Sequence, residues 1–207
     1  MRRTPLLIFA TVAALSTAVA LDAQQVPTEQ PGKPDTTLIT GGTYAVDPNH
    51  TQVLFAFDHM GFTNNLGLFA EPGGSLKLDP AKPEAASVDI VFQIGSVSTG
   101  VPKFNEHLLS ADFFDAGKYP TATFKSTSVK VDGTEAEITG NLTIKGITKE
   151  VMLDARFTGA GTNPMSKKET VGFAADAVIK RSDFGLGRYV PVVGDTIELK
   201  ITAAFEK

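Results

Sequence analysis

From Thr43 to the C-terminus, apolar and polar residues alternate with a period of two. Val53, Phe55 and Phe57 alternate with Gln52, Ala56 and Asp58, and Val88, Ile90, Phe92 and Ile94 with Asp89 and Gln93. Ile138, Leu142 and Ile144 alternate with Thr139, Asn141, Thr143 and Lys145, and Val151, Leu153, Ala155 and Phe157 with Asp154 and Arg156. The last two blocks place Val171, Phe173, Ala175, Ala177 and Ile179 on one face, then Ile197, Leu199, Ile201, Ala203 and Phe205. Such alternation marks strands with one buried face. Pro72-Gly73-Gly74, Asp79-Pro80, Asp132-Gly133, Lys145-Gly146 and Gly194-Asp195 punctuate the blocks as turns. Long strands, short turns and no long helical pattern predict an all-β domain, either an antiparallel barrel or a sandwich.

Two stretches break the alternation. Residues 104–114 predict a short helical crossover, with Asn105 and Ser110 as cap candidates and Pro120 returning the chain to extended structure. Its aromatics Phe113, Phe114 and Tyr119 must pack on something apolar, as a plug over one end of the fold or as a lid over a cavity mouth. The second stretch is the N-terminus. Arg2 and Arg3, an apolar run from Leu6 to about Leu15, and the small residues Ala18-Val19-Ala20 predict a signal peptide over residues 1–23. Cleavage after Ala20 would remove both arginines, take the formal charge from −4 to −6, and deliver a periplasmic or secreted product. Pro27, Pro31 and Pro34 among polar residues predict a flexible linker over 24–42, which leaves 43–207 as one folded domain.

Composition narrows the chemistry. With 42% hydrophobic residues the chain can bury a core. A net charge of −4 argues against nucleic acid as a partner, since that binding needs a basic face. The absence of cysteine excludes disulfides, thiolate metal sites and a cysteine nucleophile. Phe outnumbers Tyr 14 to 3 and Trp is absent, which suits an apolar interior. None of the common nucleophile, zinc or phosphate-loop motifs occurs, so no catalytic residue and no metal site is assigned. His50 and His59 are an odd number of residues apart, which puts them on opposite faces of a strand and unable to share an ion. His59 shares the face of Val53, Phe55 and Phe57. Arg181 and Asp183 continue the parity of Val171 to Ile179. A charge there must be paired, so Arg181 has two readings: a structural ion pair with Asp183, or a contact to the anionic head of a ligand.

These segments resemble the YceI family of exported lipid-binding proteins. The resemblance is carried by YAVDPNHTQVLFAFDHMG, LGLFAEPGGSLKL, IGSVSTG, HLLSADFFDAGKYPTATFKSTSV, GNLTIKGITKEVML and KRSDFGLG, in that order over residues 44–205. Thr51 stands where the family usually has Ser, and Val101-Pro102-Lys103-Phe104 where a charged stretch is common. The resemblance implies an eight-stranded antiparallel lipocalin-like barrel, often a homodimer, with an elongated pocket. Its ligand would be a long-chain isoprenoid lipid, such as a quinone or a polyprenyl phosphate, exchanged through transient membrane contact, with no other cofactor. Strand parity then nominates the wall: Phe55, Phe57, His59, Phe69, Ile90, Phe92, Phe124, Leu142, Ile144, Phe173, Ile179 and Arg181. This reading is a carrier or reservoir rather than an enzyme. The rival reading is an enzyme acting on a small apolar substrate, with His59 or His107 carrying the proton. A filled barrel presenting only an outer surface is the third reading, and it predicts no cavity.

Overall fold

The computed structural model describes residues 28–207; the expected signal peptide and residues 24–27 lie outside the described residues. Among the described residues ten strands form: β1 (Gly42–Val46), β2 (Gln52–His59), β3 (Thr63–Phe69), β4 (Pro72–Leu78), β5 (Ser87–Gln93), β6 (Thr121–Asp132), β7 (Glu135–Ile144), β8 (Ile147–Thr162), β9 (Glu169–Lys180) and β10 (Thr196–Glu206). All pairings are antiparallel, in the order β1-β4-β5-β6-β7-β8-β9-β10-β2-β3 with a further β1–β10 pairing.

That pattern is a closed eight-stranded barrel. β1 and β2 lie along the same edge of β10, at Ala45–Val46 and Gln52–Ala56, so they are two halves of one interrupted strand. β4 and β3 pair with those halves in turn and make the second interrupted strand, kinked near Glu71, whose φ is +54°. Buried Thr51 repairs the first break. Its hydroxyl accepts from the Ala204 N–H (3.0 Å) and donates to the Ala204 carbonyl (3.2 Å), a bridge that Ser could also make.

The expected parity holds, with corrections by β-bulges. A register shift between Ser126 and Ser128 moves the inward set of β6 from Ala122 and Phe124 to Val129 and Val131. Another, between Phe157 and Gly159, turns Ala160 inward after Phe157. The outer faces carry exposed cross-strand ion pairs, among them Lys125–Asp89 (3.7 Å), Lys130–Glu137 (3.3 Å) and Arg156–Asp176 (3.4 Å). Each adds little stability, but such charges dominate the outer faces, whereas the inner face is apolar. That is the reverse of a membrane-spanning barrel.

The stretch from Gln93 to Thr121 is the expected crossover, built on α1 (Pro102–Leu109). Asn105 does not cap the helix. Its side chain accepts from the Thr99 N–H (2.9 Å) and hydroxyl (2.7 Å), which ties down the approach to α1, while Pro102 starts the helix and Ser110 ends it. The crossover fills the gap that opens where β3 leaves β4, bridging it through mutual Leu68–Ser98 hydrogen bonds.

The expected flexible linker is corrected by the structure from Lys33 onward. Lys33 exchanges two backbone hydrogen bonds with Ala160 (3.0 and 2.9 Å), pairing the edge of β8 that extends beyond β7. Gly159 and Gly161 make this approach feasible, since a Cβ on Gly161 would sit 2.2 Å from the Pro31 carbonyl oxygen. Asp35 caps a 3₁₀ turn over Thr36–Leu38, and Ile39 packs on the core around Tyr44, Val46, Leu76, Ile90, Val171 and Phe205.

Glu169 anchors this end. Its carboxylate accepts from the Thr40 N–H (2.9 Å), the Thr40 hydroxyl (2.6 Å) and the hydroxyl of the fully buried Tyr44 (2.7 Å), with Lys207 Nζ at 3.5 Å. Burial alone would raise its pKa; the hydrogen bonds from Thr40 and Tyr44 and the charge of Lys207 win, holding it at about 2 against an ordinary 4.5. Burial, then the hydrogen bond to Glu169, pushes Tyr44 up to about 12. A depressed carboxyl stabilises the fold above its unfolded pKa and loses that contribution as pH falls. Thermal melts of the wild type should therefore weaken between pH 4.5 and about 2. Glu169→Gln should remove this carboxyl's share of that dependence. It should also lower neutral-pH stability by about 1.5–3 kcal/mol, the worth of hydrogen bonds to a charged group.

Candidate functional site

The barrel is packed at its ends and hollow between them. A cavity of about 570 Å³ runs inside it, and all eight barrel strands contribute to its wall. All twelve residues nominated from parity line this one cavity, with Phe55, Phe57, His59 and Phe69 on β2 and β3, and Ile90 and Phe92 on β5. Phe124 comes from β6, Leu142 and Ile144 from β7, Phe173 and Ile179 from β9, and Arg181 from the turn after β9. A filled barrel is thereby excluded. Several inward side chains, Phe124, Leu142 and Ile144 among them, are only half-buried despite facing the interior, because the space before them is empty.

Two glycines set ring positions on this wall. Phe55 lies opposite Gly67, where a Cβ would come within 2.2 Å of its ring. The Phe124 ring lies over Gly140 on β7, at 2.4 Å from a Cβ placed there. Each ring thus folds onto a neighbouring strand rather than standing into the lumen. Small residues make the remaining room: Ala122, Ala136, Ala155, Ala175 and Ala203 all line the cavity, and Ala155 and Ala175 face each other across β8 and β9. Parity reasoning that sought large apolar residues passed over them. Alanine on an inward strand position, where it has little β propensity, was the available signal.

The crossover closes the end of the barrel at His59. Phe104 packs near Phe57 (ring centroids 6.3 Å apart), Phe114 stands edge-on to Phe69 (5.5 Å), and Phe113 lies between His107 (4.9 Å) and Tyr189 (6.3 Å). Arg188 pairs with Asp112, and Lys145 donates to the Ala111 carbonyl (3.3 Å), so crossover and turns are clamped together. Plug and lid therefore coincide: the aromatics are packed, and a cavity lies beneath them. Sequence reasoning also missed Phe104, Leu108, Phe113 and Phe114 as wall residues, because no strand parity extends into a crossover.

Polar lining groups gather at the two ends. His59, His107, Arg181 and Tyr189 lie under the crossover; Thr36, Thr134, Glu135 and Arg156 lie toward the N-terminal segment. Thr51 and Thr123 are the further hydroxyls of the wall. His50 is outside, exposed, with Nδ1 2.6 Å from Asp47. Burial would raise the Asp47 carboxyl, but hydrogen bonds from His50 and Asn49 hold it below the usual range. Among the described residues no group of three His, Asp or Glu could hold a metal ion.

The Arg181–Asp183 pair expected from parity does not form. β9 ends at Lys180, and residues Arg181–Phe184 make a 3₁₀ turn that sends Asp183 to the solvent. Arg181 is 6% exposed and donates to backbone carbonyls: Nε to Gly194 (2.7 Å), one terminal nitrogen to Leu186 and Arg188 (2.9 Å to Arg188), the other to Val193 (2.8 Å). Its nearby countercharge is Asp195, which accepts from the Ser182 N–H (2.9 Å) and hydroxyl (2.8 Å). Burial lowers the Arg181 pKa against the pull of Asp195. The guanidinium is the internal scaffold of the 181–195 loop, and most of its N–H groups are spent there.

Comparison with known proteins agrees with this architecture. The model of the YceI-like domain matches residues 44–205. Protein YceI of Escherichia coli O157:H7 is 38% identical over 161 residues, covering 77% of this chain and 84% of its own, and that of Salmonella arizonae is 37% identical over the same span. The Campylobacter jejuni YceI protein superposes with a TM-score of 0.65 at 33% identity, over 72% of this chain and 89% of its own. BcnA of Burkholderia cenocepacia reaches 0.69 at 28% identity, over 77% and 98%. A polyisoprenoid binding domain from Saccharophagus degradans shares the fold with a TM-score of 0.59, at 17% identity over 79% and 97%. The chain belongs to the YceI-like family.

Since Arg181 holds a loop rather than a free anion site, Arg181→Ala should strand four carbonyls and lower stability by about 3–5 kcal/mol. Thermal melting would read this. Arg181→Lys should rescue little of it, because one ammonium cannot reproduce the fork. Both variants should lose neutral and anionic long-chain lipids alike; selective loss of the anionic lipid, with unchanged melting, would restore the head-group reading.

Proposed function

We propose that this YceI-like protein is an exported carrier or reservoir that holds one isoprenoid lipid, tail inward, in the barrel cavity. The observation that carries the reading is the 570 Å³ interior bounded on every strand by apolar side chains. Its size falls in the range of sites that enclose a small organic ligand. Burial from water is worth about 0.8 kcal/mol per CH₂, so ten tail carbons would supply about 8 kcal/mol, a micromolar affinity. The Saccharophagus domain named for polyisoprenoid binding lends support through its shared fold.

The character of the ends favours a neutral head group. Arg181 is committed to backbone carbonyls, and Arg156 is paired with Asp176. A phosphate entering the cavity would meet no free arginine or lysine among the described residues that line it, and an uncompensated buried charge is costly. A quinone-like head needs only one or two hydrogen bonds, which His59, His107 and Tyr189 can offer. The enzyme reading is weaker. Acid–base chemistry needs convergent polar groups around a reacting atom, and the middle of this wall offers almost none.

Mass spectrometry of an organic extract of the purified protein should find a long-chain isoprenoid, and the emptied protein should take up a quinone more readily than a polyprenyl phosphate of equal tail length. Ala155→Phe and Ala175→Phe should each project a ring into the lumen and cut uptake at least tenfold, about 1.4 kcal/mol or more, with melting unchanged or raised. A protein that emerges empty and takes up neither lipid ends this reading.

A further inference from the structure

Five of the thirteen large apolar residues exposed among the described residues lie where the cavity is capped, and Phe62 is the most exposed of all. In the β2–β3 turn, Phe62 is 83% exposed and Met60 is exposed beside it. In the 181–195 loop, Val192 is 59% exposed, and Tyr189 and Val190 are exposed as well. The two tips are one unit: Gly194 donates to the Asp58 carbonyl (2.9 Å), and His59 bridges to Val193.

Both tips are built to hold these side chains outward. Asp58 accepts from the Gly61 N–H (2.9 Å), and Met60 is held at φ +63°. Tyr189 sits at φ +66°, and Arg181 binds the carbonyls on either side of it through Arg188 and Val193. A bulky residue in left-handed backbone is disfavoured, so its presence beside exposed apolar side chains points to use rather than stability. Apolar residues that fold a barrel face inward; these face water, in a cluster of the kind that marks an interaction site.

We propose that these two tips dock the barrel onto the surface of a lipid bilayer, with Phe62 and Val192 entering the interface. Three features select a membrane as the occupant. The immediate chain neighbours of the exposed residues, His59 and Val193, line the cavity, as does Tyr189 itself, so whatever covers the tips lies next to the bound molecule. No charged side chain lies between His59 and Asn65 or between Tyr189 and Gly194. The contact is thus apolar and non-directional, as entry into the acyl boundary requires. Two joined but protruding tips also suit a deformable surface better than a flat protein face. The proposal deepens the lipid-carrier reading and rests on it for the identity of the occupant.

The test uses Phe62→Ser/Val192→Ser in the mature protein, which leaves every cavity-lining residue in place. Flotation with phosphatidylcholine vesicles, with and without phosphatidylglycerol, should recover the wild type and reduce the variant at least tenfold. The wild-type signal should respond weakly to salt and to anionic lipid. Uptake of a quinone from dilute dispersion should be equal in both proteins, while the variant's rate of transfer between vesicles falls with its flotation. Equal flotation of both proteins, or none by the wild type, overturns the proposal. So does a change in oligomeric state with vesicle binding unchanged, which would make the tips an interface between copies. If neither protein takes up the quinone, the cavity reading fails, and flotation alone still decides the docking.

Discussion

Closure through β10 is the constraint on which everything else depends. The last strand bonds to both halves of the first, at Ala45–Val46 near its end and at Gln52–Ala56 near its start, while Thr51 spans the gap by its hydroxyl. Among the described strands, no ladder joins residues more distant along the chain. The interior therefore exists as an enclosed volume only once the whole domain is assembled, and folding must meet the entropy of that closure before it gains the contacts inside. Closure also removes the sheet edges that would otherwise invite aggregation. The part of β8 beyond β7 is paired by Lys33 at Ala160, and the outer edge of β3 is bridged at Leu68 by Ser98. The Glu169 hub then fixes the Lys33 segment to β1 and to Lys207, so residues 33–42 and the end of β10 seal the same end of the barrel.

A hollow interior is a cost the rest of the fold must offset. By the scaling of about 24 cal/mol per Å³ seen for cavities in packed cores, an empty void of this size would cost on the order of 10 kcal/mol. That rivals the whole net stability of a domain, about 5–15 kcal/mol. The protein concentrates its packing elsewhere: around Tyr44, Val171 and Phe205 at one end, and around Phe184, Leu186, Val97 and Leu108 at the other. Between them, five alanines and two ring-covered glycines keep the lumen open. A sequence under pressure only for stability would fill these positions with larger residues. Their smallness is best understood as room kept for a molecule that completes the core.

Strand parity made the cavity wall legible, because in a closed antiparallel barrel one face of every strand can only point inward. That is why residues as distant as Phe55 and Ile179 could be assigned to one surface without knowing the register. Hollowness was not legible, since the same alternation serves a packed barrel, and only the inward alanines hinted otherwise. The reading failed where strands ended. Parity carried Arg181 and Asp183 onto one face, but the chain leaves the sheet at Lys180, and the countercharge comes from Asp195 on the far side of a loop. The prolines before Gly42 suggested a free linker; what docks that segment is the absence of side chains on Gly159 and Gly161, a property of the partner strand that local composition does not report.

The energetics of the ligand decide what kind of binding this interior can perform. An isoprenoid tail gains nearly the same burial from a bilayer as from an apolar barrel, so the tail supplies affinity against water but little preference over the membrane. Preference must come from the ends, where the cavity offers two imidazoles, a tyrosine and a committed guanidinium at one side and two threonines, Glu135 and Arg156 at the other. Those groups can distinguish one head from another by a few hydrogen bonds, each worth about 0.5–1.5 kcal/mol net. A barrel so constructed would be selective in which lipid it takes and weak in how firmly it keeps it, the balance that the proposed carrier role requires.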